Sequence, residues 1–309
     1  MNVLEISNFT KYYGDFCAVN NLNINIEKGE IVGFVGKNGA GKSTTIRAIL
    51  NMISQSSGTI KIFGLDNIKN SKEIKSRTAY VSSQNAIYDN LTCLEVLEFC
   101  LKFSSEDKSR IYELAEYFDL DLVKKTSELS FGNKKKLAII SAFVKNSELL
   151  IFDEASNGLD PLIQNKFFTL LLEEKKKGKT IFLSSHNLAE IERYCDKVAI
   201  IKDGVLLDYF TVKDVTKKAS QTVSYTTKDG NSYSFELNED INSLISKLSK
   251  LEIEKLEIKS RTVEDEFIEY YKEEKEWKIL NSKIFMSLLP LILKLIKRKY
   301  WLGELSFLL

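Results

Sequence analysis

Gly36-Lys37-Asn38-Gly39-Ala40-Gly41-Lys42-Ser43-Thr44 matches G-x-x-x-x-G-K-[ST], a loop that wraps phosphates. Its flanks agree. Glu30 to Val35 reads as a buried strand, and Ser43 to Leu50 reads as a helix. The glycines let backbone N–H groups curl around a triphosphate, and the helix N-terminus adds the positive end of its dipole. In this pattern Lys42 reaches the β- and γ-phosphates, and the Ser43 hydroxyl holds Mg²⁺. The plain alternative is a Gly-rich turn with an exposed lysine, and strand, loop and helix in series argue against it.

Around this loop the sequence alternates between two periods. Val3 to Phe9 and Leu22 to Ile26 alternate apolar and polar residues, as half-solvated antiparallel strands do. Leu149 to Phe152, Thr180 to Ser184 and Val198 to Ile201 are more continuously apolar and separated by helical patterns, which predicts a parallel core sheet. Asp203-Gly204 reads as a hairpin turn. From about Leu91 to Ala142 the pattern is helical, with Leu94, Leu97, Leu101, Ile111, Leu114 and Phe118 on the apolar positions. Past Thr211 two strands flank Asp229-Gly230. A helix capped by Asn238 carries Ile241, Leu244, Ile245 and Leu248. A strand over Leu251 to Ile258 follows, and Thr262 begins a last helix.

A second motif is Glu148-Leu-Leu-Ile-Phe-Asp153-Glu154, a strand that delivers two carboxylates at its C-terminal edge, where open α/β sheets bind ligands. Asp153 suits the Mg²⁺ shell and Glu154 suits the base that activates water. A third is His186, the chain's one histidine, directly after Thr180 to Ser185. A lone histidine is more often structural. One residue past a core strand, it is placed to donate to the γ-phosphate or the attacking water.

With 44 basic and 43 acidic residues the net charge is +1, so charge gives no argument for a nucleic-acid partner. The 309 residues suggest about two domains. Cys17, Cys93, Cys100 and Cys195 lack C-x-x-C spacing, which fits a reduced cytoplasmic chain without a zinc site. No signal peptide and no run of about 18 apolar residues is visible, so no transmembrane helix is expected.

Taken together, these motifs resemble the ATP-binding subunits of ABC transporters. Tyr12-Tyr13-Gly14 is similar to the aromatic loop, with Tyr13 on the residue that stacks on adenine. Gly36 to Thr44 (Gly36, Asn38, Gly39, Ala40, Gly41, Lys42, Ser43 and Thr44 as nucleotide contacts) matches Walker A, and Leu149 to Glu154 matches Walker B. Asn157 to Asp160 resembles the D-loop, and His186 falls on the switch histidine. Leu129-Ser130-Phe131-Gly132-Asn133 sits where the LSGGQ signature belongs. The resemblance implies an α/β P-loop NTPase with a mixed sheet, an inserted helical subdomain and a small C-terminal α/β region. It also implies ATP and Mg²⁺ as cofactors. Two ATPase subunits, alike or different, would enclose two nucleotides, with Ser130 and Gly132 of the signature reaching the partner's ATP and Asp160 of the D-loop as a further nucleotide contact. Lys42, Glu154 and His186 would be the catalytic set. A separate membrane permease would hold the pair at the inner face of the membrane, and export is the implied direction.

Two departures stand out. Phe131 and Asn133 replace a glycine and the glutamine of the signature, and an ordinary backbone is expected at Phe131 because a phenylalanine takes positive φ only at a cost. Lys134, Lys135 and Lys136 then open a helix, against the dipole. They face a partner's phosphate or form a solvated run. At the Q-loop, the glutamine position falls on Ser83, with Gln84 one residue late. Either the loop slips, so that Gln84 contacts the nucleotide and its metal, or Ser83 acts through a water.

The organisation expected is an ATPase domain over 1–213 with its helical subdomain at about 87–143, an accessory domain over 214–276, and a tail over 277–309. The accessory region is similar to that of drug- and peptide-exporter ATPases. In the tail, Lys283, Ser287, Pro290, Lys294 and Lys297 share one helical stripe. It reads as a membrane-interface or permease-binding segment, a helix docked on its own subunit, or a non-native extension. Two other functions compete: a soluble ABC ATPase acting on ribosomes or DNA, and a non-enzymatic ATP-binding regulator. Neutral charge disfavours the first, and an intact Glu154 and His186 disfavour the second.

Overall fold

The structure is a computed structural model that describes residues 1–83, 90–104, 106–214, 221–237, 240–259, 262–265 and 267–268. Met1–Val263 forms one compact unit and Glu264–Leu309 a second. Gln84 and the whole 277–309 tail lie outside the described residues, as does most of the helix expected from Thr262.

The alternating N-terminal segments form β1 (Asn2–Tyr13) and β2 (Phe16–Glu27), paired antiparallel. With β4 (Ser57–Ile62) and β5 (Leu65–Asp66) they make a sheet ordered β2-β1-β4-β5. The more continuously apolar segments belong to the core sheet: β3 (Ile31–Val35), β6 (Thr78–Val81), β7 (Leu149–Asp153), β8 (Thr180–Ser185) and β9 (Lys197–Lys202), closed by β10 (Val205–Thr211). Its order is β10-β9-β3-β8-β7-β6. All neighbours are parallel except β9 and β10, joined through Asp203-Gly204. Both turn residues have positive φ, 48° and 79°, as a tight hairpin of this kind demands.

Every residue of β3, β7 and β8 is buried, as a sheet covered on both faces requires. One face packs on the antiparallel sheet through Ile6, Phe9, Ile24, Ile60, Phe34 and Phe182. Elsewhere in the core Phe143, Phe152 and Phe167 meet ring to ring, Phe152 and Phe167 at 5.1 Å edge-on. The helices that flank these strands are α1 (Lys42–Ile49), α2 (Ser71–Ser76), α3 (Cys93–Leu101), α4 (Ser109–Phe118), α5 (Phe131–Val144), α6 (Pro161–Lys176) and α7 (Leu188–Tyr194). The first of them starts one residue before the expected Ser43.

The segment α3 to α5 is the expected helical insert. Leu97, Ile111, Leu114 and Phe118 are buried as the periodicity predicts, and Thr92 with Glu95 forms a capping box at the start of α3. Beyond Val212, β11 (Gln221–Thr227), β12 (Ser232–Leu237) and β13 (Ile253–Lys259) form a third sheet. Helix α8 (Ile241–Leu248) buries Leu244 and Leu248 with Val223. Its cap is Asp240, not the expected Asn238, which lies outside the described residues. The Asp240 carboxylate accepts from Asn242 N at 2.9 Å and Ser243 N at 3.1 Å, satisfying two orphan amides at once. The φ of Phe131 is not positive, as expected.

Candidate functional site

β3 ends at Val35, and the chain turns away at once. A Cβ on Gly36 would stand 2.3 Å from the Ile201 carbonyl oxygen, so only glycine fits against β9. Gly39 and Gly41 have φ of 85° and 106°, left-handed values that glycine adopts cheaply. Gly41 caps α1. Lys42, 5% exposed, folds back over the loop. Its Nζ donates to the Gly36 carbonyl at 2.6 Å and the Lys37 carbonyl at 3.3 Å, and lies 3.5 Å from Glu154 Oε1.

These residues open into a cleft of about 540 Å³ whose walls include Tyr13, Phe16, Lys42, Ser43, Ser83 and Glu154, with Asn38, Gly39, Gly41 and Thr44 of the loop. Segments far apart in sequence meet here. Tyr13 and Phe16 are both exposed at its rim, and Lys11 Nζ sits 5.0 Å from the centre of the Tyr13 ring.

β7 delivers Asp153 and Glu154 to the same edge. Asp153 is buried, and Ser184 Oγ on β8 donates to its Oδ1 at 2.6 Å. Burial, then the Asp153 charge, push the Tyr80 phenol up to about 12. Glu154 has φ 52°, a left-handed value that costs a non-glycine residue about 1–2 kcal/mol. Three contacts hold it there. Its amide donates to the Ser184 carbonyl at 3.1 Å and to Ser184 Oγ at 3.1 Å, and Asn157 Nδ2 donates to Oε2 at 2.9 Å. Strain kept by surrounding bonds points to a position fixed for its side chain. His186 follows β8, is 56% exposed, and its Nδ1 lies 4.0 Å from Glu154 Oε1.

A divalent cation that binds phosphate asks for hard oxygen donors. Ser43 belongs to the cleft wall, and Asp153 spends one carboxylate oxygen on Ser184 with the other unused among the described residues. That donor set fits Mg²⁺ sharing phosphate and water ligands. No cluster of three or more His, Cys, Asp or Glu forms among the described residues, so they build no full metal cage by themselves.

Ser130, Gly132 and Asp160 do not line the cleft. Ser130 caps α5, its Oγ accepting from Asn133 N at 3.3 Å. Asp160 caps α6, accepting from Ile163 N at 3.0 Å, with Pro161 as the first helical residue. Phe131 is largely exposed but lies against Gly158, where a Cβ would stand 2.5 Å from its ring. The three lysines do not share one environment, and the buried Lys135 fits neither sequence reading of the run. Lys136 Nζ donates to the Asp119 carbonyl at 3.2 Å, while Lys135 is 1% exposed and points into its own chain. Helical spacing is the reason: neighbours on α5 are about 100° apart, so three consecutive side chains cannot share one environment.

Phe16 and Ser184 are not singled out by the sequence, and Asn157 and Lys135, there placed in a D-loop and a lysine run, take different contacts in the structure. Phe16 was findable as the aromatic just past the Tyr13-Gly14 turn. Ser184 and Lys135 find their partners far away in sequence, and Asn157 acts only because Glu154 takes a left-handed backbone.

Residues 19–157 match the family model described as ABC transporter. The chain is 38% identical over 233 residues to the bacitracin transport ATP-binding protein BcrA of Bacillus licheniformis, covering 74% of this chain and 76% of that one. In structure it is similar to the ATP-binding subunit of an ABC transporter, with a TM-score of 0.66 and 30% identity over 70% of this chain and 92% of the other. It is also similar to a dimeric bacterial ABC transporter cassette, MJ0796, with a TM-score of 0.62 and 25% identity over 68% and 98%.

Proposed function

Because the chain belongs to the ATP-binding subunits of ABC transporters and hydrolyses ATP to power a membrane transporter, we propose the following division of labour among its residues. The observation that carries it is the cleft in which the phosphate loop, Ser83 and Glu154 meet, with Lys42 Nζ 3.5 Å from Glu154 Oε1. Tyr13, beside Phe16, stacks on adenine. Backbone amides from Asn38 to Thr44 and the Lys42 ammonium bind the phosphates. A phosphate oxygen arriving at Lys42 competes with Glu154 for the ammonium, so nucleotide binding releases the carboxylate for water. Glu154 takes the water's proton, and Asn157 holds its other oxygen in place. His186 donates to the γ-phosphate or to that water. Ser43 and Asp153 would hold Mg²⁺, with Ser83 or Gln84 as the candidate further contact, and the ion would supply neutralisation of charge on the phosphates.

Ser130, Gly132 and Asp160 lie outside the cleft of their own chain, which supports their use across a dimer of two ATPase subunits, alike or different. Among the described residues no helix is long and apolar enough to cross a membrane. In this reading a separate permease supplies the pathway, and the chain sits peripherally on it at the cytoplasmic face. The likeness to a protein named for bacitracin transport supports export of a drug, peptide or lipid-like substrate. The boundaries 1–213, 214–276 and 277–309 belong to this proposal. The test is Mg-ATP turnover by the purified chain together with light scattering. Turnover with an ATP-driven doubling of mass is expected. Turnover with no dimer and no dependence on protein concentration removes the cross-subunit part.

A further inference from the structure

Lys135 is the one lysine among the largest fully buried side chains, and none of the steps assigned to the cleft uses it. It sits on α5, five residues past Ser130. Its Nζ lies 3.4 Å from both the Ser82 and Ser83 carbonyl oxygens, just beyond the end of β6. Both distances are long for an ammonium donor. Among the described residues no carboxylate forms an ion pair with it. Burial pulls its pKa down, while the Asp153 and Glu154 charges act the other way and favour the ammonium. A buried cation held this loosely adds little stability. Replacing such a charge by an apolar side chain of similar volume is often neutral or stabilising.

We infer that Lys135 is a positioning residue for hydrolysis, tying the helix that begins at Ser130 to the segment Ser82-Ser83 that reaches the nucleotide cleft. Three observations converge on this. Ser83 lines the cleft beside Lys42 and Glu154. Ser130 is the N-cap of the helix that carries Lys135, so a movement of the cap along the helix moves the ammonium. The ammonium spans 53 and 52 residues of sequence to reach Ser82 and Ser83, so it joins two segments far apart in the chain. A shift of α5 toward a partner's nucleotide therefore changes the setting of Ser83 in its own cleft. The cation also adds positive potential near the paired carboxylates, on top of that from Lys42.

The inference rests on the ATPase reading, and the experiment separates the two. The full chain is compared as wild type, Lys135→Met, Lys135→Gln and Lys135→Arg. Each is assayed for thermal midpoint, affinity for a fluorescent ATP analogue, and kcat and KM for Mg-ATP. Lys135→Met should fold with a midpoint at or above wild type and bind the analogue within about threefold. Its kcat should fall about tenfold or more with KM little changed, on the scale of one lost positioning contact. Lys135→Gln should lie between, and Lys135→Arg should recover most of the wild-type kcat. A wild-type chain without turnover sinks the ATPase reading. Lys135→Met as fast as wild type sinks only this inference. So does a kcat loss that follows midpoint and affinity down together, with arginine no better than methionine, since that is ordinary packing.

Discussion

A Cβ on Gly36 would lie 2.3 Å from the Ile201 carbonyl, whereas one on Gly132 would meet nothing nearer than the Gly158 carbonyl at 3.7 Å. The phosphate loop matches a nucleotide-binding motif and the Ser130–Lys136 segment resembles one with departures at Phe131 and Asn133, yet only the first is dictated by its own chain. Gly36 is pressed against β9 and Gly41 against the carbonyl of Ala18, so the loop is held to one shape by its own neighbours. The second segment has room to spare at Gly132 and lines no part of that cleft. If residue 132 must be small, the demand comes from something that approaches from outside the chain. On the dimer proposed above, a preformed half-site and a half-site completed by a partner would leave different marks in the packing.

The largest expected effect tests the preformed half. Glu154→Gln keeps the side-chain shape and removes the base. Turnover should fall by about 10²–10⁴-fold with ATP affinity unchanged. Steady-state ATPase and equilibrium binding check it, and turnover near wild type would remove Glu154 from its role. The partner-completed half is tested by Ser130→Arg. Hydrolysis should drop by about 10²-fold or more, on the scale of a lost transition-state donor. Nucleotide binding by the monomer should survive while the ATP-driven dimer disappears in light scattering. A dimer that persists breaks the comparison.

The two glycines sharpen it further. Gly36→Ala should cost about 1–3 kcal/mol by overpacking. Gly132→Ala, inside a helix with open space, should be neutral or stabilising by about 0.5–1 kcal/mol in the isolated chain. Denaturant unfolding of both variants reads the difference directly.

A residue of the frame, outside both halves, serves as control. Glu174 on α6 is buried and ion-paired with Arg110 at 3.3 Å, with Lys177 at 2.8 Å and with Lys179. Burial pushes its carboxyl up, but the bonds and charges of Lys177 and Lys179 outweigh this and hold it below the usual range. A folded pKa below the unfolded one contributes stability above the ordinary carboxylate pKa and loses it as pH falls through the folded value. Glu174→Gln should therefore destabilise the chain at neutral pH, and the gap from wild type should shrink on acidification below about pH 4. A gap independent of pH would show that packing, not charge, is lost.

The smallest expected effect concerns the tail. The described cleft residues run no further than Glu154, and His186 follows on the next strand of the core sheet. Truncation after Glu276 should leave ATPase activity within a few-fold of the full chain. If the stripe from Lys283 to Lys297 is interfacial, the same truncation should lower binding to anionic liposomes, more so at low salt. A collapse of activity would make the tail part of the ATPase frame.

The sequence by itself determined the phosphate loop, the acidic strand end, the position of His186, the two kinds of sheet and the helical insert. Each is written in local spacing: a phosphate-loop motif, a period of about two or 3.6, a turn of Asp-Gly. Only the tertiary structure decided which groups those elements hold in place. Ser184 reaches Asp153 across 31 residues and Lys135 reaches Ser82 across 53, and no local pattern encodes such a meeting. Nor does local propensity favour a glutamate at φ 52° or a lysine with 1% exposure. Both are locally unfavourable, and they persist because the rest of the fold supplies the compensating free energy.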